Sequence, residues 1–200
     1  MIVLGLTGSV AMGKSTAAAA LAERGFPVFE ADAAVHRLLG PGGDAVAEVA
    51  AAFPDSAGNE TIDRSALGDR VLGDAAALDR LEAILHPRVD AVATAFLHRA
   101  QADGAPLAVL EMPLLFEIGA ERLCDAVVVV HAPEEAQRRR ALARPGMTPE
   151  RLAFVLSRQV PDAEKRRRAD YVVDSGDGIP KMSLELARIT DSLLADARTR

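Results

Sequence analysis

Ile2-Val3-Leu4-Gly5-Leu6-Thr7-Gly8-Ser9-Val10-Ala11-Met12-Gly13-Lys14-Ser15 is the stretch that decides the fold. It begins as an apolar run with the look of a buried strand, and from Gly8 to Ser15 it matches G-x-x-x-x-G-K-[ST] in full. The helix-forming Thr16-Ala17-Ala18-Ala19-Ala20-Leu21-Ala22 follows. Strand, glycine-containing turn and helix in that order make a phosphate cradle. Gly8 and Gly13 let the backbone turn its N–H groups inward, and the helix beginning near Lys14 points its positive dipole end at the anion. Lys14 is placed to reach the β- and γ-phosphates of a nucleoside triphosphate, and the Ser15 hydroxyl to hold Mg²⁺. The expected ATP contacts within the loop are Gly8, Ala11, Met12, Gly13, Lys14, Ser15 and Thr16. A chance glycine turn would not match with the correct strand before it and helix after it.

The rest of the chain sets bounds on this reading. At 200 residues, 50% of them hydrophobic, it has the size and core of one ordinary domain with room for inserted lobes. A net charge of −6 gives no general basic field for nucleic acid, so the anionic ligand is expected to be small. The single cysteine, Cys124, can form neither an internal disulfide nor a cysteine metal cluster, and beside an apolar run it reads as a buried thiol. The N-terminus opens directly on a strand-like segment, and no apolar run approaches the roughly 20 residues of a membrane span. A cytoplasmic protein is expected.

Three continuous apolar runs, Ile2 to Thr7, Pro106 to Met112 and Ala126 to His131, read as central parallel strands. Pro27 to Glu30 and Tyr171 to Asp174 join them as shorter ones. The fold class expected is α/β, a five-stranded parallel sheet flanked by helices, with ligands above the carboxyl ends of its strands. The second and third strands lie much further apart than a plain crossover requires. That segment, residues 33–104, reads as an α-helical substrate lobe with breaks at Gly40-Pro41-Gly42-Gly43, Pro54 to Asn59 and His86-Pro87. Residues 133–168 read as a helical lid, leaving 1–32, 105–132 and 169–200 as the core.

The lid is rich in arginine. Its run Lys165 to Arg168 is expected to be a solvated helix face. Arg140 and Arg144, four apart, are expected on one face of a helix, where arginine suits charge on a transferring phosphoryl group. Pro145 and Gly146 are candidates for a hinge.

A phosphate loop is shared by kinases, GTPases and transport ATPases, so other residues must choose among them. The guanine-reading N-K-x-D of a GTPase is absent. Asp32, just after the second strand, could accept a proton from a substrate hydroxyl or could cap the following helix, and the two roles are compatible. Glu111 and Glu117 end and follow the third strand. Either could orient substrate or metal-bound water, or they could simply flank the hydrophobic plug Leu114-Leu115-Phe116.

Taken together these residues resemble the dephospho-CoA kinase family essentially end to end. The resemblance is carried by Leu4-Gly5-Leu6-Thr7-Gly8 with Gly13-Lys14-Ser15-Thr16, by Val28-Phe29-Glu30-Ala31-Asp32 and by Arg37. Leu85-His86-Pro87, Pro113-Leu114-Leu115-Phe116-Glu117 and the Arg140 and Arg144 pair continue it. It ends with Gln159 before Lys165, and Ala169-Asp170-Tyr171-Val172-Val173-Asp174. It implies a P-loop NTPase-type core and transfer of the ATP γ-phosphoryl group to the ribose 3′-hydroxyl of dephospho-CoA, with Mg²⁺. Asp32 would be the general base, Lys14 and Arg140 would neutralise the transferring group, and Arg144 would help the lid clamp ATP. Arg37, His86 and Pro113, Leu114, Leu115, Phe116 and Glu117 would hold dephospho-CoA along with Asp32, and Ser175 would lie at the adenine. The implied partners are these small molecules, without nucleic acid or membrane, in a monomer or weak homo-oligomer. The alternatives are another small-molecule or nucleoside monophosphate kinase of this architecture, or a non-catalytic ATP-binding switch.

The chain departs from the family pattern in three places. Ala11-Met12 stands where Gly-Ser is usual, Glu30 where Asp is usual, and Ser175 where Asn is usual. The loop is expected to close normally if Ala11 keeps a negative φ.

Overall fold

The computed structural model describes residues 1–199. Along the chain run β1 (Ile2–Thr7), α1 (Lys14–Glu23), β2 (Val28–Glu30), α2 (Ala31–Leu39), α3 (Val46–Ala52), α4 (Arg64–Val71) and α5 (Ala75–Ala102). Then come β3 (Leu107–Glu111), β4 (Ala126–His131), α6 (Glu134–Leu142), α7 (Pro149–Ser157), α8 (Asp162–Arg168), β5 (Tyr171–Asp174) and α9 (Ile179–Arg198). The strands form one sheet in the order β2-β3-β1-β4-β5. β1 is central, pairing in parallel with β3 (Leu4 opposite Val109) and with β4 (Leu6 opposite Val128), and β4 pairs in parallel with β5.

Every strand lies within a residue or two of its expected span, because a parallel strand covered on both faces needs an unbroken apolar run. All five residues of β3 are buried. On one face Leu4 and Leu6 of β1, Val128 and Val130 of β4 and Val173 of β5 share a core with Ala17, Ala18 and Leu21 of α1 and Met182 and Leu186 of α9. Burying a Val or Leu side chain fully is worth about 1.5–3 kcal/mol, so this face fixes the strand that leads into the phosphate loop.

The chain divides into two compact units. One comprises Met1–Phe29 together with the chain from Leu97 onward, and the other is Glu30–Phe96. The second unit is helical. Within it Asp63 caps α4 by accepting from the Ser65 and Ala66 N–H groups, and Val49, Phe53, Leu67 and Leu81 are among its buried residues.

Three local expectations need correction. Pro87 does not break the helix, since α5 runs through it. A proline inside a helix costs about 3 kcal/mol, and here the buried stripe of Ala77, Leu81, Leu85, Val89 and Ala93 continues on both sides of it, so burial outweighs that cost. Arg144 lies beyond the end of α6, in a turn where its N–H bonds the Ala141 carbonyl, so it does not share a helix face with Arg140. Lys165 is no part of a solvated face, being fully buried.

Candidate active site

The loop from Gly8 to Ser15 joins the buried end of β1 to α1. Glycine is required at its two ends for different reasons. A Cβ on Gly8 would sit 2.5 Å from the Val130 carbonyl oxygen, so β4 leaves room for none. Gly13 adopts φ 93°, in the region where only glycine is at ease, and closes the loop as the residue before α1.

Ala11 also takes a left-handed backbone, at φ 62°. The negative φ expected of it is therefore not what the loop uses. The conformation costs an alanine about 1–2 kcal/mol, and the surroundings hold it in place. Its methyl is buried against Ala141 and Leu152, from α6 and α7. The residue before it is held on both its peptides: the Val10 N–H, of the Ser9–Val10 peptide, donates to Gln159 Oε1 at 3.0 Å, and Gln137 Nε2 donates to the Val10 carbonyl, of the Val10–Ala11 peptide, at 2.9 Å. Met12 turns its side chain inward against Ala132 and Ala136, and its N–H donates to the Ser9 carbonyl at 3.2 Å, tightening the turn of the loop.

Lys14 opens α1 and is buried, ion-paired to Glu111 at the end of β3. Glu111 is itself only 2% exposed, so the carboxylate expected to orient water or substrate instead holds the loop lysine. Ser15 and Thr16 are exposed in the first turn of α1.

Arg140 lies against this loop, its Nη1 3.8 Å from where a Cβ on Gly13 would be. It spends two donors on Ser175, reaching Oγ at 2.9 Å and the carbonyl at 3.0 Å. The Ser175 hydroxyl donates to the Met12 carbonyl at 2.7 Å, and its N–H donates to the His131 carbonyl at 2.8 Å. With each polar group engaged inside the protein, Ser175 braces the loop at Met12. Arg144 is exposed.

The Pro113 to Glu117 segment is more internal than its expected role as a substrate surface. Leu115 is fully buried, within 3.1 Å of where a Cβ on Gly5 would stand, so it belongs to the core beneath β1. Phe116 is 6% exposed, and the Arg168 guanidinium lies 4.3 Å from its ring centre. Pro113 and Leu114 are half-buried. Glu117 accepts from the Val160 N–H at 2.8 Å and from Lys165 Nζ at 2.9 Å, and the Pro113 carbonyl accepts from Lys165 at 3.0 Å and from the Thr7 hydroxyl at 3.3 Å. One buried lysine thus ties α8 to the segment after β3.

The first unit therefore gathers the loop, Lys14, Arg140, Ser175 and Glu117. Asp32, Arg37 and His86 belong to the second. Asp32 is exposed at the second position of α2, directly after β2 in the chain, and the cap position is Glu30, whose side chain makes no capping bond. The capping role open to Asp32 is therefore not the one it plays. Arg37 is exposed on the same helix, and His86 is half-buried on α5. Gln159 belongs to the family resemblance by its place before Lys165, but neither it nor Gln137 carries a local signal of contact with a loop more than a hundred residues earlier.

Cys124 stays out of the chemistry. Burial pushes its thiol up to about 12 from an ordinary 9.0, and the charges of Asp125 and Glu121 add to this. The folded protein holds that proton in the window where the unfolded chain has lost it, so Cys124 contributes stability that is complete below pH 9 and lost as pH rises towards 12. Half-buried and held protonated, it should react with a disulfide reagent at pH 8 far more slowly than an ordinary thiol, and labelling at the rate of a free cysteine in native buffer would show an accessible thiolate.

Among the described residues no helix is long and apolar enough to cross a membrane. The family model for dephospho-CoA kinase matches residues 2–181. A dephospho-CoA kinase from Mesorhizobium japonicum is 56% identical over 193 residues, covering 96% of this chain and 97% of its own. One from Novosphingobium aromaticivorans is 58% identical over 174 residues, covering 87% and 86%. A crystal structure from Thermus thermophilus is 36% identical and superposes with a TM-score of 0.77, covering 98% of this chain and 97% of that one. The dephospho-CoA kinase of Campylobacter jejuni, 22% identical with a TM-score of 0.64 and coverage of 95% and 96%, shares the fold.

Proposed function

The chain belongs to the dephospho-CoA kinase family, and from that premise we propose how its residues divide the work. The protein is an ATP-dependent phosphotransferase that converts dephospho-CoA to coenzyme A. The observation that carries the reading is the glycine-ended loop with Lys14 at the mouth of α1, held by a buried glutamate.

In this reading the ribose 3′-oxygen of dephospho-CoA attacks the γ-phosphorus of ATP, its proton passes to the Asp32 carboxylate, and the bond to the β-phosphate oxygen breaks to release ADP. Asp32 suits a general base because it is exposed and is not spent as a helix cap. Backbone N–H groups of the loop would bind the phosphates, and Lys14, fixed by Glu111, would neutralise charge that grows during transfer. Arg37 and His86 would hold dephospho-CoA in the helical unit, with Pro113 and Leu114 as the half-buried members of the motif after β3.

Ser15 would hold Mg²⁺. A single exposed hydroxyl at the start of α1 fits this ion, which keeps several waters and binds through one or two protein groups plus phosphates. When bound, the metal would offset negative charge on the phosphate oxygens. Arg144, exposed on the turn after α6, would reach ATP when the lid closes and excludes water.

Arg140 spends two of its five N–H donors on Ser175, which anchors the guanidinium beside Met12 and Gly13. We therefore assign it to holding the nucleotide side of the loop. Arg140→Ala is expected to raise KM for ATP by about tenfold, the worth of one charge-assisted hydrogen bond, while kcat changes less. A fall in kcat near 10³-fold with KM unmoved would return it to the transferring phosphoryl group.

The deciding experiment is ADP release from purified protein with Mg-ATP, comparing dephospho-CoA, AMP, shikimate and no acceptor in a coupled assay. Stimulation by dephospho-CoA alone, with coenzyme A as product, is expected. Stimulation by a different acceptor would move the substrate lobe to another chemistry, and stimulation by none would leave a nucleotide-binding switch.

A further inference from the structure

The loop's apex is built around a conformation that its own residue disfavours. Ala11 stands at φ 62°, where its Cβ crowds the neighbouring carbonyl, and a free loop would relax by rotating the peptides on either side. The peptide after Ala11 is tied by the Met12 N–H to the Ser9 carbonyl, and the one before it carries the Ala11 N–H, the kind of donor a phosphate cradle must aim inward. The residue before Ala11 is held by two side chains reaching in from elsewhere in the sequence: Gln159 accepts the Val10 N–H, and Gln137 donates to the Val10 carbonyl. Gln137 sits on α6 and is 7% exposed, and Gln159 lies between α7 and α8. The Ala11 methyl completes the hold by packing on Ala141 and Leu152 of the same helices.

We propose that Gln137 and Gln159 are positioning residues for phosphate binding: as an amide clamp on the two peptides that flank Val10, they keep Ala11 in its left-handed backbone and so keep the loop in its anion-binding shape. The inference deepens the reading of the loop as the ATP site and rests on it. Its consequence is that the arginine-bearing helical segment 133–168 does more than cover the nucleotide, because it also sets the geometry of the loop beneath.

The two glutamines use opposite ends of their amides, which gives the clamp a signature that bulk or packing cannot mimic. A glutamate at 159 keeps an acceptor for the Val10 N–H. A glutamate at 137 puts an acceptor against the Val10 carbonyl and removes the donor. Both changes add the same charge. The dissociation constant for Mg-ATP, read by calorimetry on the full chain, should therefore rise at least fivefold more for Gln137→Glu than for Gln159→Glu.

Gln159→Met removes the acceptor at similar volume and should weaken Mg-ATP about tenfold. In an Ala11→Gly background, where glycine adopts the same φ without crowding, that penalty should shrink to about twofold. Equal losses for the two glutamate variants, or a Gln159→Met penalty unchanged by Ala11→Gly, would overturn the clamp. Should Gln159→Met fail to fold, the glutamate pair decides alone. Dephospho-CoA-dependent ADP release by the unaltered protein runs alongside: if that is missing while the binding pattern holds, the assigned reaction fails and the clamp stands.

Discussion

Asp32→Asn should lower kcat by about 10²-fold or more while the dissociation constant for Mg-ATP stays within about twofold, the usual size of a general-base effect. The substitution is clean because of where Asp32 sits. It is exposed, occupies the second position of α2 rather than the cap, and is replaced by a side chain of the same shape. Its other contribution is the favourable placing of a negative charge near a helix N-terminus, worth about 0.3–1 kcal/mol, so the fold should survive. Single-turnover measurements with saturating ATP would separate the chemical step from product release. A single-turnover rate close to that of the unaltered protein would reduce Asp32 to a residue that complements the helix dipole.

Lys165→Met should cost about 3–5 kcal/mol of folding stability, the usual penalty for stripping one partner from a buried ion pair. The ammonium is fully buried, 2.9 Å from Glu117 Oε1 and 3.0 Å from the Pro113 carbonyl. Glu117 Oε2 is already buried without a hydrogen-bond partner, so the carboxylate has little else to lean on once the lysine is gone. For a domain of this size each kcal/mol moves Tm by roughly 2–4 °C, and thermal and urea unfolding would both register the loss. Lys165→Met with Glu117→Leu should recover much of it, because the penalty comes from the stranded charge rather than from the missing attraction. If the single variant lost less than about 1 kcal/mol, water would have to be reaching Glu117.

How far these features could be read from the chain follows from the range of the forces involved. The strands were legible, since burial on both faces demands unbroken apolar runs and such runs are visible in β1, β3 and β4. The phosphate loop was legible because its motif is local. Pro87 misled because a proline's effect is local, whereas what overrides it is a buried stripe running the length of α5. Lys165 misled in the same way: three arginines follow it, and only the fold shows that the first basic residue of the run points inward to Glu117. The Val10 clamp joins residues 127 and 149 positions apart, and the place of Gln159 before Lys165 says nothing of which backbone it meets. Ala11 was legible as a departure from the family pattern, but the sign of its φ was not, because an alanine alone would choose the negative value.

The sheet order carries a consequence for how the protein is made. The strand that leaves the ribosome first takes the middle of the sheet, and its two neighbours, β3 and β4, are not complete until residue 131. Both edges of β1 stay bare until β3 is complete at residue 111, and until β4 follows the loop after β1 has no wall at Val130 to shape it. The segment Glu30–Phe96 is synthesised whole in the interval. A nascent chain thus lacks the wall of its phosphate loop until β4 is made, with an apolar strand exposed that invites chaperones or mispairing.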